Sequence, residues 1–173
     1  KGIEQNPLYH PEGDVYIHSM QVLDRAALYR EQAKNPVAFM LSALVHDFGK
    51  ITATKTTEKG IQAIGHETEG LPLVETFIRR LTNEAGLRKY VLNMTRLHMR
   101  PNRLAADHAR LQATNRMFDE SVDPRGLLLL ARCDRSLRQR TEEIREEEAF
   151  LEERLVHFEE IMARPCVMGA DLV

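Results

Sequence analysis

Apolar residues return at helical spacing along most of this 173-residue chain. In "GDVYIHSMQVLDRAALYR" they fall at Val15, Ile17, Val22, Leu23, Ala26 and Ala27, with Asp14 placed as the N-cap. Asn35-Pro36 opens the next segment, and "VAFMLSALVHDFG" reads as a mostly buried helix stopped by Gly49. The pattern then fails. "KITATKTTEKGIQAIGHE" is polar, threonine-rich and broken by Gly60 and Gly65, which predicts a long loop with a short extended pair. Helical spacing resumes in "ETEGLPLVETFIRRL" and in "EAGLRKYVLNMTRLHM", the second closed by Pro101, and continues in "DHARLQATNRMFDE" and "PRGLLLLARCDRSLR". Last comes "QRTEEIREEEAFLEERLVHFEEIMA", a long amphipathic helix with Ile144, Leu151, Leu155, Phe158 and Met162 near heptad spacing. The expected fold is all-α, a bundle of about six to eight helices. Residues 1–138 form its core, and the amphipathic helix and tail of 139–173 pack on the same domain.

Composition changes this picture little. Hydrophobic residues at 43% and charged residues at 29% are ordinary for a globular protein. A net charge of −2 gives the whole chain no basic signature of a nucleic-acid binder. Cys133 and Cys166 have neither disulfide-framework nor zinc-finger spacing and are expected to be reduced thiols. No apolar run approaches the roughly 18–20 residues of a membrane span, and "KGIEQNPLYHPEGD" lacks the apolar stretch of a signal peptide. The expected compartment is the cytoplasm, with no membrane partner.

The candidate chemistry lies at the helix margins. "LSALVHDFGK" places His46 and Asp47 side by side where a core helix ends, with Lys50 just beyond. Two such side chains are costly there unless something occupies them. One answer is a satisfied core histidine beside a capping carboxylate; the other is a metal site. His18, His66 in "IGHE", His98 in "RLHM" and Asp134 in "ARCDRS" also sit in or beside helices, so a bundle can turn them all inward. Imidazole with carboxylate suits Mn, Fe, Co, Ni, Zn or, with more oxygen, Mg. Two His and two Asp hold one ion; His66 and His98 add donors for a second, with Asp47 able to bridge. Lys50 is placed to offset phosphate charge.

"HDFGK" after an apolar helix, with the upstream histidine of "YIHSMQVLD" and the downstream aspartate of "ARCDRS", resembles the HD superfamily of metal-dependent phosphohydrolases. The resemblance assigns ligand positions to His18, His46, Asp47 and Asp134, and implies a second ion at His66 and His98. "HPEGDVYIHSMQVLD", "ALVHDFGK", "AIGHETEG" and "RPCVMGADLV" together are similar to the C-terminal half of bacterial tRNA nucleotidyltransferases, the CCA-adding enzymes. Nothing resembles that family's nucleotidyltransferase head, so the chain is expected to be part of a longer protein or a stand-alone relative, and not to add CCA by itself. It departs from the family pattern at Leu137, where glycine is common before the arginine kept here as Arg138, and at Met99 after His98.

The resemblance implies hydrolysis of phosphate esters, 2′,3′-cyclic nucleotides or 2′-nucleotides, by a metal-bound hydroxide. One or two divalent ions are implied, with Asp47 as a catalytic ligand and Lys50 and Arg138 stabilising developing charge. His10 matches the family pattern without a role of its own and is expected to be a surface or packing residue, while His108 and His157 have no match and are expected at the surface. A second expectation is a tRNA-binding module whose face is Arg79, Arg80, Arg88, Lys89, Arg96, Arg100 and Arg103. A third is a homodimer through the 139–163 helix.

Overall fold

The computed structural model describes residues 1–7, 10–58, 60–135 and 141–164. The described residues form a bundle of ten α-helices: α1 (Val15–Ala27), α2 (Pro36–Val45), α3 (Lys50–Ala53), α4 (His66–Glu69), α5 (Leu71–Leu81), α6 (Ala85–Leu97), α7 (Arg100–Ala106), α8 (Leu111–Glu120), α9 (Pro124–Arg135) and α10 (Glu142–Ala163). The all-α expectation holds, with short helices at Lys50–Ala53 and His66–Glu69 bringing the number above the expected six to eight. The polar loop after α3 contains the expected extended pair, β1 (Lys55–Thr57) and β2 (Gly60–Gln62), antiparallel with Thr56 opposite Ile61.

α2 sits at the centre because it carries no charged residue on any face. It packs against α1, α6 and α9, with Ala38, Phe39, Ala43 and Val45 all buried. Asn35 caps it through its side-chain oxygen, which accepts from the Ala38 N–H at 3.0 Å, and Pro36 fills the first turn. α1 is capped by Asp14, which accepts from the Tyr16 N–H at 2.8 Å, and turns Val15, His18, Ser19, Val22 and Ala26 inward.

Several expected segments differ from what forms: α2 ends at Val45, not at Gly49, which is instead the N-cap of α3 where a loop was expected. "ETEGLPLVETFIRRL" is two helices, because α4 ends at Gly70 and Pro72 starts a new first turn in α5. Pro101 does not close a helix. α6 stops before His98, and Pro101 lies in the first turn of α7, where its missing N–H costs nothing. α8 begins at Leu111 because His108 takes a positive φ of 42°, which breaks the helical run. The long C-terminal helix starts at Thr141, whose hydroxyl accepts from the Ile144 N–H at 3.3 Å. α10 packs on α7, α8 and α9, with Leu151 and Leu155 buried within the chain and Met162 exposed. No helix among the described residues is long and apolar enough to cross a membrane.

Candidate metal centre

Helix ends deliver most of the polar residues that meet inside the bundle. His46 is the C-cap of α2, His98 the C-cap of α6, and His66 the first residue of α4. In each case the ring Nδ1 lies against the carbonyl oxygen three residues earlier: Ala43 at 2.8 Å, Ala63 at 2.7 Å and Thr95 at 2.7 Å. A carbonyl only accepts, so Nδ1 carries the hydrogen and Nε2 presents its lone pair. The adjacency of His46 and Asp47 follows from the same geometry: the chain turns where α2 ends and aims consecutive side chains into one space.

The Nε2 atoms converge on Asp47. Its Oδ1 lies 3.0 Å from His66 Nε2 and 3.7 Å from His98 Nε2; its Oδ2 lies 3.4 Å from His46 Nε2 and 3.5 Å from His18 Nε2. His18, on α1, also faces Asp134 Oδ1 at 2.9 Å, which is 3.7 Å from His46 Nε2. His66 Nε2 and His98 Nε2 are 3.2 Å apart. The structure thus brings His18, His46, Asp47, His66, His98 and Asp134 to one point. All but Asp134 are at least 95% buried.

Such a cluster of acceptors is short of positive charge. His46 Nε2 and Asp47 Oδ2 are buried without a hydrogen-bond partner, and two ring nitrogens face each other at His66 and His98. Lone pairs at such distances repel unless a cation or proton lies between them. The electrostatics agree. Burial opposes charge on His46, yet Asp47 and Asp134 outweigh it and raise the imidazole to about 10, a pull on positive charge that a proton on Nε2 answers until a metal ion takes its place. Burial likewise opposes charge on Asp47, but Lys50 and His46 hold its carboxyl well below the usual range, and His18 and His46 do the same for Asp134. Burial, with His46 and His66 nearby, lowers His98. The nitrogen and oxygen donor set is that of a divalent transition-metal site. Among the described residues three overlapping groups could hold an ion, His10–Glu12–His18, His18–His46–Asp47 and Asp47–His66–His98, with Asp134 beside the second.

Gly49 and Gly65 make the convergence sterically feasible. A Cβ on Gly49 would fall on the carbonyl of His66, so only glycine lets α4 approach close enough for His66 to reach Asp47. Gly65, directly before His66, has φ +79°, which L residues with side chains rarely adopt.

Lys50 lies between Asp47 and the N-terminal segment. Its buried ammonium lies 2.8 Å from Asp47 Oδ2, 2.6 Å from Gln5 Oε1 and 3.4 Å from His10 Nε2. Two of these contacts are hydrogen bonds, to Gln5 and His10, and the third is an ion pair with Asp47. Lys50 therefore stands beside Asp47 in the lining of the cavity that opens from the centre. Arg138 lies outside the described residues. Cys133 is buried in the core beside Asp134, and burial pushes its thiol up to about 12.

The centre opens into a cavity of about 810 Å³ walled by the N-terminal segment, the hairpin, α7 and the end of α9. Its lining includes Gln5, His10, Lys50, Ile61, Ile64, Met99, Asn102, Arg103 and Arg135. Arg135 is held by the buried Glu147 of α10. Arg103 is exposed at the wall, with no carboxylate partner among the described residues. Sequence reading missed Glu12 and Gln5, which lie in a loop where no periodicity marks a buried side chain. Glu12 Oε1 accepts from His10 Nδ1 at 3.0 Å and from His18 Nδ1 at 2.7 Å.

The profile described as HD domain matches residues 15–159, a span from the start of α1 to near the end of α10. The chain belongs to the HD domain family. Among its relatives are proteins named Multifunctional CCA protein. That of Ralstonia nicotianae is 36% identical over 97 residues, 56% of this chain and 21% of the relative. That of Cupriavidus metallidurans is 38% identical over 97 residues, 56% and 22%. That of Verminephrobacter eiseniae is 31% identical over 133 residues, 77% and 27%. The chain thus spans about a fifth to a quarter of these relatives' length. No solved structure matches it.

Of the seven basic residues considered as an RNA face, Arg79 and Arg88 approach Glu75, and Arg96 and Arg100 approach Glu120. Arg80, Lys89 and Arg103 have no such partner among the described residues.

Proposed function

We propose that this HD domain is a metal-dependent phosphohydrolase of phosphate esters, with 2′,3′-cyclic nucleotides and 2′-nucleotides as its substrate class. One observation carries the reading. Ring nitrogens and carboxylate oxygens converge at a buried point with their lone pairs inward, and two of these atoms, His46 Nε2 and Asp47 Oδ2, have no hydrogen bond. His18, His46, Asp47 and Asp134 would hold one divalent ion, and His66 and His98 a second, with Asp47 shared. An ion bound there supplies a lowered water pKa and charge to offset a phosphoryl oxygen.

The chain's own groups supply the rest. The Nδ1 hydrogen bonds fix the ring orientations, and Lys50 holds the Asp47 carboxylate in place and charged. Arg103 offers its guanidinium to a phosphate in the cavity, and Ile61, Ile64 and Met99 give a nucleobase an apolar wall. The cavity volume of about 810 Å³ is in the range for a bound small molecule.

The test is hydrolysis of 2′,3′-cyclic AMP by the metal-stripped chain re-supplied with Ni²⁺, Mn²⁺, Co²⁺ or Mg²⁺, beside Asp47→Ala. Metal-dependent activity that is lost in the variant is the expected result. A folded chain inactive with every ion and ester sinks the proposal.

A second reading, a tRNA-binding module, draws on the relatives' name. The pairing of Arg79, Arg88, Arg96 and Arg100 with carboxylates weighs against it. A steep loss of tRNA binding with salt would favour it.

A further inference from the structure

The four inward histidines are not held alike. His46, His66 and His98 each donate Nδ1–H to a backbone carbonyl, which is neutral. His18 alone donates to a carboxylate, Glu12 Oε1 at 2.7 Å, whose side chain is only 6% exposed. We propose that Glu12 is a positioning residue that makes the two halves of the centre unequal, so that a first divalent ion binds tightly at His18, His46, Asp47 and Asp134 and a second binds more weakly at Asp47, His66 and His98. This rests on the metal-centre reading above.

The chemistry runs from outside inward. A full negative charge behind an imidazole raises the basicity of its far nitrogen and fixes the ring's orientation. The His18 half also has Asp134 as a second inward carboxylate, which with Glu12 outweighs the Lys50 ammonium on Asp47 Oδ2. The other half has Asp47 inward and only Glu67 Oε2 behind His66, at 3.7 Å and too far for a hydrogen bond. More negative charge around one position favours the cation there. Glu12 reaches the centre by a second route too. His10 donates Nδ1–H to Glu12, which leaves its Nε2 to accept from Lys50 at 3.4 Å, and Lys50 holds Asp47 at 2.8 Å.

The alternative, that Glu12 merely pins its loop, is weakened by the backbone. That segment is already tied by Gln5 N–H to the Gly13 carbonyl at 2.9 Å, Gly13 N–H to the His10 carbonyl at 3.0 Å and Val15 N–H to the Ile3 carbonyl at 3.0 Å. His18 stands one turn into α1 and leans back toward the helix start, where Glu12 lies two residues before the Asp14 cap.

The experiment titrates the metal-stripped chain with Mn²⁺ and follows the free ion by its electron paramagnetic resonance. The wild type is expected to fill in two steps, and His98→Ala to lose the weaker step alone. Glu12→Gln keeps an acceptor for His18 but removes the charge; it should weaken the tighter step about 10–100-fold with the metal-free melting point unchanged. Equal affinities in the wild type, loss of the tighter step in His98→Ala, or an unaltered tighter step in Glu12→Gln would each overturn the proposal. The first two outcomes decide even where Glu12→Gln does not fold. Absence of any Mn²⁺ binding would instead defeat the metal-centre reading, and this proposal with it.

Discussion

His66 Nε2 stands 3.2 Å from His98 Nε2, and each ring has already given its other N–H to a backbone carbonyl. Two lone pairs so placed store repulsion that a cation relieves, so binding stabilises the fold by mass action. With a divalent ion at 100 times its dissociation constant, the gain is about 2.7 kcal/mol, or roughly 5–10 °C in melting temperature at this chain length. Thermal unfolding with Mn²⁺ and with chelator measures it. Equal midpoints would show that no ion relieves the contact.

Much of this was legible in advance for definite reasons. Asp14 and Asn35 announced two helix starts because a capping side chain is read locally. His46-Asp47 stood out because two polar residues closed an apolar run. Pro101 misled, since a proline ends one helix and opens another by the same missing N–H. Glu12 and Gln5 were invisible as parts of the centre. Their contacts are tertiary, to His18 and Lys50, and no spacing rule connects a loop residue to a helix it folds back upon. The surroundings of Lys50 also needed coordinates, because Gln5 and His10 reach it from the N-terminal segment, far away in sequence.

Lys50 and Arg103 are expected to separate in kinetics. Lys50→Gln frees Asp47 from its partner, so kcat falls and more Mn²⁺ is needed for half-maximal activity. Arg103→Ala removes a donor at the cavity wall and raises KM for 2′,3′-cyclic AMP about tenfold, the worth of one charge-assisted hydrogen bond, with the metal requirement unchanged. If Lys50→Gln raised KM alone, its ammonium would be a substrate contact after all.

Gly49→Ala tests the close approach that joins Asp47 to His66. The added methyl meets the His66 carbonyl, which is backbone and cannot rotate aside. The helices must separate, at a cost of about 3 kcal/mol, the upper end of the overpacking range. Denaturant unfolding of the metal-free protein gives the loss directly. A variant as stable as the wild type would mean that α4 can shift freely against the turn.

Away from the centre, Asp123 knits three segments. Its Oδ2 accepts from Tyr90 Oη at 2.7 Å and from the Lys34 N–H at 2.8 Å, and its Oδ1 accepts from the Gly126 N–H at 2.9 Å at the start of α9. Tyr90→Phe removes one hydrogen bond to a buried charge and is expected to cost about 1.5–3 kcal/mol. Metal affinity should stay the same, which a Mn²⁺ titration of the variant checks. A change in both would place Asp123 in the support of the centre.

Glu120 supplies the pH test. Its carboxylate lies between Arg100 at 2.6 Å, Arg116 at 3.1 Å and Arg96 at 3.4 Å, and ties α8 to α6 and α7. The hydrogen bond from Arg100 leads in lowering its pKa below the ordinary 4.5. A carboxyl with a depressed folded pKa contributes fully above its unfolded value and loses that contribution as pH falls through the folded one. The site is open to solvent, so screening keeps the worth below about 1 kcal/mol. Glu120→Gln should therefore be slightly less stable than the wild type at pH 7, and the difference should shrink below pH 4.5. High salt should shrink it as well, because exposed pairs are screened. A difference that stayed constant from neutral pH into acid would show that packing of the Glu120 side chain, not its charge, holds these helices together.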